Sequence, residues 1–354
     1  MRIAFIIGLY PFQLGGAEMQ SLEIAEALSL QGHNITFISY TNQKYTSDKF
    51  ETIQIHSRPS WDYLHISTKK MLFKFLNNTS PDIVYHRAFV PYSCYVAQWC
   101  KINHVPFYFH SADIYTLIKK NNNIKNIIFN KLLKYTLKNS TGVICQNKEQ
   151  EKALKRFHLK NLKKIYNIHR INILPISNDR KEIVWIAKFI PAKNPDLFVK
   201  LAKLFKNNEN IKFTMFSSIC LDSNTNNKLK TDIGKSHNIQ LIEGKDNEFI
   251  NNYLCQKAAI LVNTSESEGI SNTYIQAWMR GIPVLSLNSN PDNWFDTFEI
   301  GYCCNGDKNL LVQGLNQLLK KIKDSNYRQN LIKFANERFS PEVVIPQLTA
   351  FMKL

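Results

Sequence analysis

Short apolar runs alternate with amphipathic stretches along the whole chain. Residues 3–8 (IAFIIG) form a strand-length apolar run. Residues 17–31 (AEMQSLEIAEALSLQ) then carry Leu22, Ile24, Ala25 and Leu28 on one helical face, and Gly32 stops that helix. Strand character returns at 34–40 (NITFISY) and again at 83–86, 106–109 and 141–146, with a helix over 148–157. The second half repeats the rhythm: strand 183–187, helix 195–206, strand 211–216, helix 225–237, strand 239–242 and helix 246–257. An apolar run at 258–262, a helix over 273–280 and a strand at 282–287 follow. Strands alternating with helices predict an α/β protein built on doubly wound parallel sheets.

The pattern resets near 172–181, where Pro175 and the polar run Ser177-Asn178-Asp179-Arg180-Lys181 separate INIL from EIVWIA. A chain of 354 residues also exceeds one comfortable core. Two α/β domains are expected, 1–178 and 179–338, with the apolar segment 339–354 forming a helix that packs across their junction.

Composition narrows the classes. Hydrophobic content of 44% and charged content of 21% are those of a globular protein. No apolar run has the length of a membrane span, and the run after Met1-Arg2 is too short for a signal peptide, so a cytoplasmic location is expected. Seven cysteines, an odd number without any C-x-x-C, read as reduced thiols. The net charge of +17 calls for an anionic partner. No nucleic-acid recognition pattern accompanies it, which leaves anionic small molecules or an anionic membrane surface. Two basic amphipathic stretches, 69–76 (KKMLFKFL) and 117–138, suit the membrane surface. The longer one combines Ile124, Ile127, Ile128, Leu132 and Leu133 with Lys119, Lys120, Lys125, Lys131, Lys134 and Lys138. Each suits still better a helix that buries its apolar face in the first domain.

Candidate chemistry sits in the turns after strands, where doubly wound sheets bind ligands. The first such loop contains Gly8, Gly15 and Gly16, without G-x-G-x-x-G, and strand two ends Ser39-Tyr40-Thr41-Asn42 without an acid. Both requirements of a dinucleotide oxidoreductase fail, which disfavours a nicotinamide or flavin enzyme. His110 follows the run PFYF directly. Lys188 and Lys193, five residues apart on the loop opening the second domain, have the spacing to grip a diphosphate. Glu268 and Gly269 precede a helix whose first amides, Ile270 to Thr273, favour an anion, with Ser271 and Asn272 as N-cap candidates. Gln276, eight residues after Glu268, is expected on the same crevice. A carboxylate, an amide and a helix N-terminus suit a ligand bearing hydroxyls and phosphate, such as a sugar nucleotide. The absence of Asp-x-Asp and of histidine ligand spacing disfavours metal-assisted chemistry, and no G-x-S-x-G elbow supports a serine hydrolase.

In order and spacing, Gly15-Gly16-Ala17-Glu18, His110, Lys188 with Lys193, and EGISNTYIQAWMRGIPV at 268–284 resemble the retaining glycosyltransferases of family 4. The resemblance implies a GT-B fold, two Rossmann-like domains facing a central cleft, and transfer of a sugar from a UDP- or GDP-sugar to a glycan or lipid-linked acceptor. It implies surface polysaccharide or lipopolysaccharide biosynthesis as the setting, with no cofactor and no metal. It also implies roles: Glu268 against the donor sugar, Lys188 and Lys193 on the diphosphate, and His110 and Gly16 approaching from the first domain. Gly269, Ile270, Ser271, Asn272 and Thr273 would line the donor site. Gln276 departs from the pattern, standing where the family carries a second glutamate for the ribose. Another GT-B activity, such as a nucleotide-sugar epimerase or an inverting transferase, and a non-catalytic sugar-nucleotide or polyanion binder are the alternatives.

Overall fold

The computed structural model describes residues 1–56, 66–118, 123–170, 175–177, 179–217 and 224–354, with backbone alone for 66 and 224–226. By its internal contacts the chain divides into two units, 1–170 with 341–354, and 171–340.

The first unit holds a parallel sheet of strands β1 (Arg2–Ile6), β2 (Asn34–Tyr40), β3 (Glu51–Ile55), β4 (Ile83–Arg87), β5 (Phe107–His110), β6 (Gly142–Cys145) and β7 (Leu162–Lys164). Among the described residues their order is β3-β2-β1-β4-β5-β6-β7. Strands β4, β5 and β6 are buried at every position, because helices cover both faces and leave no solvent side to reward alternation. The helix Gly16–Leu30 lays Ile24, Ala25 and Leu28 on one face of the sheet. On the other face, the helices Ile66–Thr79 and Ser93–Ile102 supply Leu72, Leu76, Val96 and Ala97.

The C-terminal helix Pro341–Met352 belongs to this first unit. Val344, Ile345, Leu348 and Met352 join the core of Phe5, Leu28 and Tyr85, and the Tyr108 hydroxyl donates to the Met352 carbonyl at 3.1 Å. Gly142 admits the ring of Phe351, which a Cβ there would meet at 2.7 Å. The division thus falls at 170/171, where the sequence pattern suggested 178/179, and the final segment is a wall of one core. Residues 171–174 and Asn178, part of the expected boundary, lie outside the described residues.

The second unit repeats the architecture with strands β8 (Glu182–Ile186), β9 (Lys212–Ser217), β10 (Ile239–Glu243), β11 (Ala258–Asn263), β12 (Val284–Ser286) and β13 (Gly301–Cys303). All pairs are parallel, in the order β10-β9-β8-β11-β12-β13. Trp278, fully buried, packs edge-on against Trp294 and Phe334, and its indole N–H donates to the Ile300 carbonyl at 2.9 Å. The helix that carries it ends as the sequence suggests. Gly281 has φ of +64°, and Ile282 N–H reaches back to the Ala277 carbonyl at 3.0 Å.

Candidate functional site

In the second sheet the strand order reverses between β8 and β11, so the loops that follow these two strands open side by side. Those loops carry the residues singled out from sequence. After β8 the chain makes a short turn, Pro191–Lys193, and enters the helix Pro195–Leu204 through Asn194, whose φ of +45° is left-handed. After β11 it passes Thr264 to Ser271 and enters the helix Asn272–Trp278.

Backbone and buried polar groups stitch the two loops together. The Thr264 hydroxyl donates to the Lys193 carbonyl at 2.6 Å and accepts from the Trp185 indole at 2.9 Å. Asn194 Nδ2 donates to the Thr264 carbonyl at 3.3 Å, and Glu266 N–H to the Ala192 carbonyl at 3.1 Å. This frame brings Lys193 and Glu268 into a direct ion pair, each side chain about four-fifths buried. Ser265 Oγ donates to the same carboxylate at 3.2 Å, and Ser289 Oγ holds the Glu268 carbonyl at 3.2 Å. Lys188, on the same loop, is exposed and makes no ion pair among the described residues. The sequence suggested separate duties for Lys193 and Glu268; the structure makes them one charge-balanced unit.

Of the expected anion-facing stretch, Ile270 is buried by its side chain, while Ser271, Asn272 and Thr273 are partly exposed. Ser271 stands at the N-cap in extended conformation, but its hydroxyl meets Thr273 Oγ1 at 2.9 Å and makes no bond to a helix amide. Gly269 offers its carbonyl to Ser289 Oγ at 3.4 Å. Gln276 is the residue expected on the same crevice. It is 5% exposed, and its Nε2 donates to Asn247 Oδ1 at 2.6 Å, at the start of the helix Asn247–Gln256. Its amide nitrogen is committed to a neighbouring helix, because residues that deep in the helix turn towards the protein interior.

In the first unit, Gly16 opens the helix Gly16–Leu30 and is exposed. His110 ends β5 beside Arg87, which ends the adjacent strand β4. His110 is 1% exposed, with Nδ1 at 2.7 Å from the Tyr85 hydroxyl and 3.2 Å from Arg87 Nη1. A guanidinium only donates, so Nδ1 accepts and the ring proton sits on Nε2. That Nε2 is buried without a partner among the described residues. Burial first, and the Arg87 charge second, hold the imidazole pKa well below 6.5. Arg87 in turn donates to Asn167 Oδ1 at 2.6 Å. The result is a neutral, oriented N–H donor. Arg87, Tyr85 and Asn167 were not singled out in the sequence; the one available signal was a charged residue closing the apolar run IVYHR at 83–87.

Two parallel, doubly wound units with charged loops at the strand ends are the architecture of the GT-B class. Two family models match consecutive parts of the chain, Glycosyltransferase Family 4 over residues 14–170 and Glycosyl transferases group 1 over 168–338. The chain belongs to these family 4 glycosyltransferases. No curated protein is significantly similar to it in sequence. Among solved structures, sucrose-phosphate synthase (tll1590) from Thermosynechococcus elongatus superposes with a TM-score of 0.78 at 12% identity, over 100% of this chain and 98% of that one. Anabaena Alr3699/HepE in complex with UDP-glucose gives 0.78 at 14%, over 99% of both chains. The lipopolysaccharide outer core galactosyltransferase WaaB gives 0.69 at 16%, over 100% of both. At such identities the likeness is one of fold.

Proposed function

We propose that the chain is a retaining transferase that moves a sugar from a UDP- or GDP-sugar to a glycan or lipid-linked acceptor without a metal ion. The observation that carries this reading is the Lys193–Glu268 pair at the strand-order reversal of the second sheet, with Lys188 exposed on the same loop as Lys193. Breaking the bond between anomeric carbon and phosphate puts negative charge on the leaving diphosphate and positive charge on the sugar ring. Ammonium groups favour the first and a carboxylate the second, and two lysines can do the work of a divalent cation. The neutral His110 suits hydrogen bonding to a sugar oxygen through Nε2–H, and its lowered pKa makes Nδ1 too weak a base to take a proton at neutral pH.

The UDP-glucose complex of the Anabaena protein supports a nucleotide-sugar donor, and the assignment of WaaB to lipopolysaccharide supports a surface-glycan setting. No helix among the described residues is long and apolar enough to cross a membrane. The helix Ile124–Lys138 nonetheless exposes Ile124, Ile127 and Ile128 among lysines, which favours peripheral attachment at the inner, cytoplasmic face. The decisive experiment follows the reaction by NMR with a panel of UDP- and GDP-sugars, with and without EDTA. Transfer with retained anomeric configuration at an unchanged rate in EDTA is expected. Inverted product, epimerised donor, binding without turnover or a strict metal requirement would overturn the reading.

A further inference from the structure

A cavity of about 940 Å³ opens in the second unit at the amino ends of its strands, the edge opposite Lys193 and Glu268. Arg180 and Lys181, which lead into β8, line it together with Lys320, Lys323 and Arg328 from the helix Leu310–Lys321 and the chain after it. The single acid in the lining, Asp179, already holds Lys181 at 2.8 Å. Four cationic side chains therefore line this space with no carboxylate among the described lining residues to balance them.

Arg180 is the informative one. It is 4% exposed, yet among the described residues its five N–H donors make one hydrogen bond, from Nη1 to the Arg280 carbonyl at 2.8 Å, and Nε has no partner. Burial, and then the neighbouring Arg328 charge, push its pKa down to about 10. Burial also lowers Arg328. A buried guanidinium this poorly satisfied is costly unless a counter-charge joins it. Its planar fork matches the oxygens of phosphate. The apolar side of the lining, with Ile211 and Leu319, leaves room for more than a bare ion.

We propose that this cavity binds a phosphate-bearing small molecule, with Arg180 and Arg328 on the phosphate and Lys320 and Lys323 at the rim. The site is independent of the transfer reaction. A five-residue strand separates it by roughly 15 Å from the carboxyl ends, too far for one ligand's phosphates to serve both.

The test is calorimetric titration of the full chain with inorganic pyrophosphate at constant ionic strength. A Lys188→Ala/Lys193→Ala background removes binding at the other strand edge, so the outcome does not depend on the proposed function. Binding is expected to persist in that background. It should weaken at least tenfold when Lys320→Glu and Lys323→Glu are added, and similarly with Arg328→Gln. Loss of all binding in the background, or binding indifferent to these three substitutions, would overturn the proposal. Flotation with phosphatidylglycerol vesicles identifies the source of the phosphate. Binding lost in the rim variant points to a lipid headgroup, and unchanged binding to a free metabolite.

Discussion

Arg87 donates a guanidinium N–H to Nδ1 of His110 at 3.2 Å, with both side chains buried at the ends of adjacent strands. A cation beside an imidazole resists its protonation, and burial adds to the effect. His86, in the strand of Arg87, is likewise pushed down to about 4 by burial. In the unfolded chain both histidines titrate near 6.5. Below that pH the unfolded state takes up protons that the folded state refuses, so stability is full above about pH 6.5 and declines towards pH 4. Thermal unfolding measured across this range should show a falling midpoint, and His110→Asn should flatten part of the slope. A midpoint independent of pH would contradict the buried neutral state.

Glu268→Gln and Lys193→Ala should each lower transfer by orders of magnitude, about 3 kcal/mol or more of transition-state stabilisation. Each leaves its partner's charge unpaired in a site about four-fifths buried, so the unfolding midpoint should fall as well. Steady-state rates set beside thermal melts check both halves. Near-normal turnover in either variant would remove the pair from the chemistry.

Gln276→Glu restores the acid of the family pattern but loses the donor that meets Asn247 Oδ1 at 2.6 Å. Two acceptors would then face each other in a 5% exposed position. A stability loss of about 1–3 kcal/mol is expected, read by denaturant unfolding. A variant as stable as the parent would show that Asn247 turns its amide to donate at no cost.

Gly281 has φ of +64°, and a Cβ there would lie 3.0 Å from the Arg328 carbonyl oxygen. Gly281→Ala should cost about 1–3 kcal/mol through backbone strain and crowding. Chemical denaturation measures it, with Gly234→Ala as the control, where nothing lies within 4 Å of the added methyl.

Membrane attachment should depend on the exposed face of the helix Ile124–Lys138. The other basic stretch, 69–76, has Leu72 and Leu76 fully buried and is not available in the same way. Ile124→Ser/Ile127→Ser/Ile128→Ser should abolish flotation with anionic vesicles at low salt and leave the fold intact. Flotation unaffected by that triple change would place the contact elsewhere. Lys119 and Lys120, counted in the same stretch, lie outside the described residues.

The sequence by itself determined most of the strands, though not β3, about half of the helices and the two-unit plan, because apolar periodicity follows directly from which faces must leave water. It also determined which turns carry charge, and the glycine-proline stop at 281–283. Short edge strands such as β7 and β13, at three residues each, carry too little pattern to be read. Partnership was decided only in three dimensions. That Lys193 meets Glu268 across 75 positions follows from the reversal of strand order between β8 and β11. That Gln276 turns to Asn247, and that the last helix closes the first core, depends on how helices pack over the sheet edges. The tautomer of His110 depends on a strand neighbour 23 residues away. Hydrophobic patterning is local along the chain, whereas hydrogen bonds and ion pairs are local only in space.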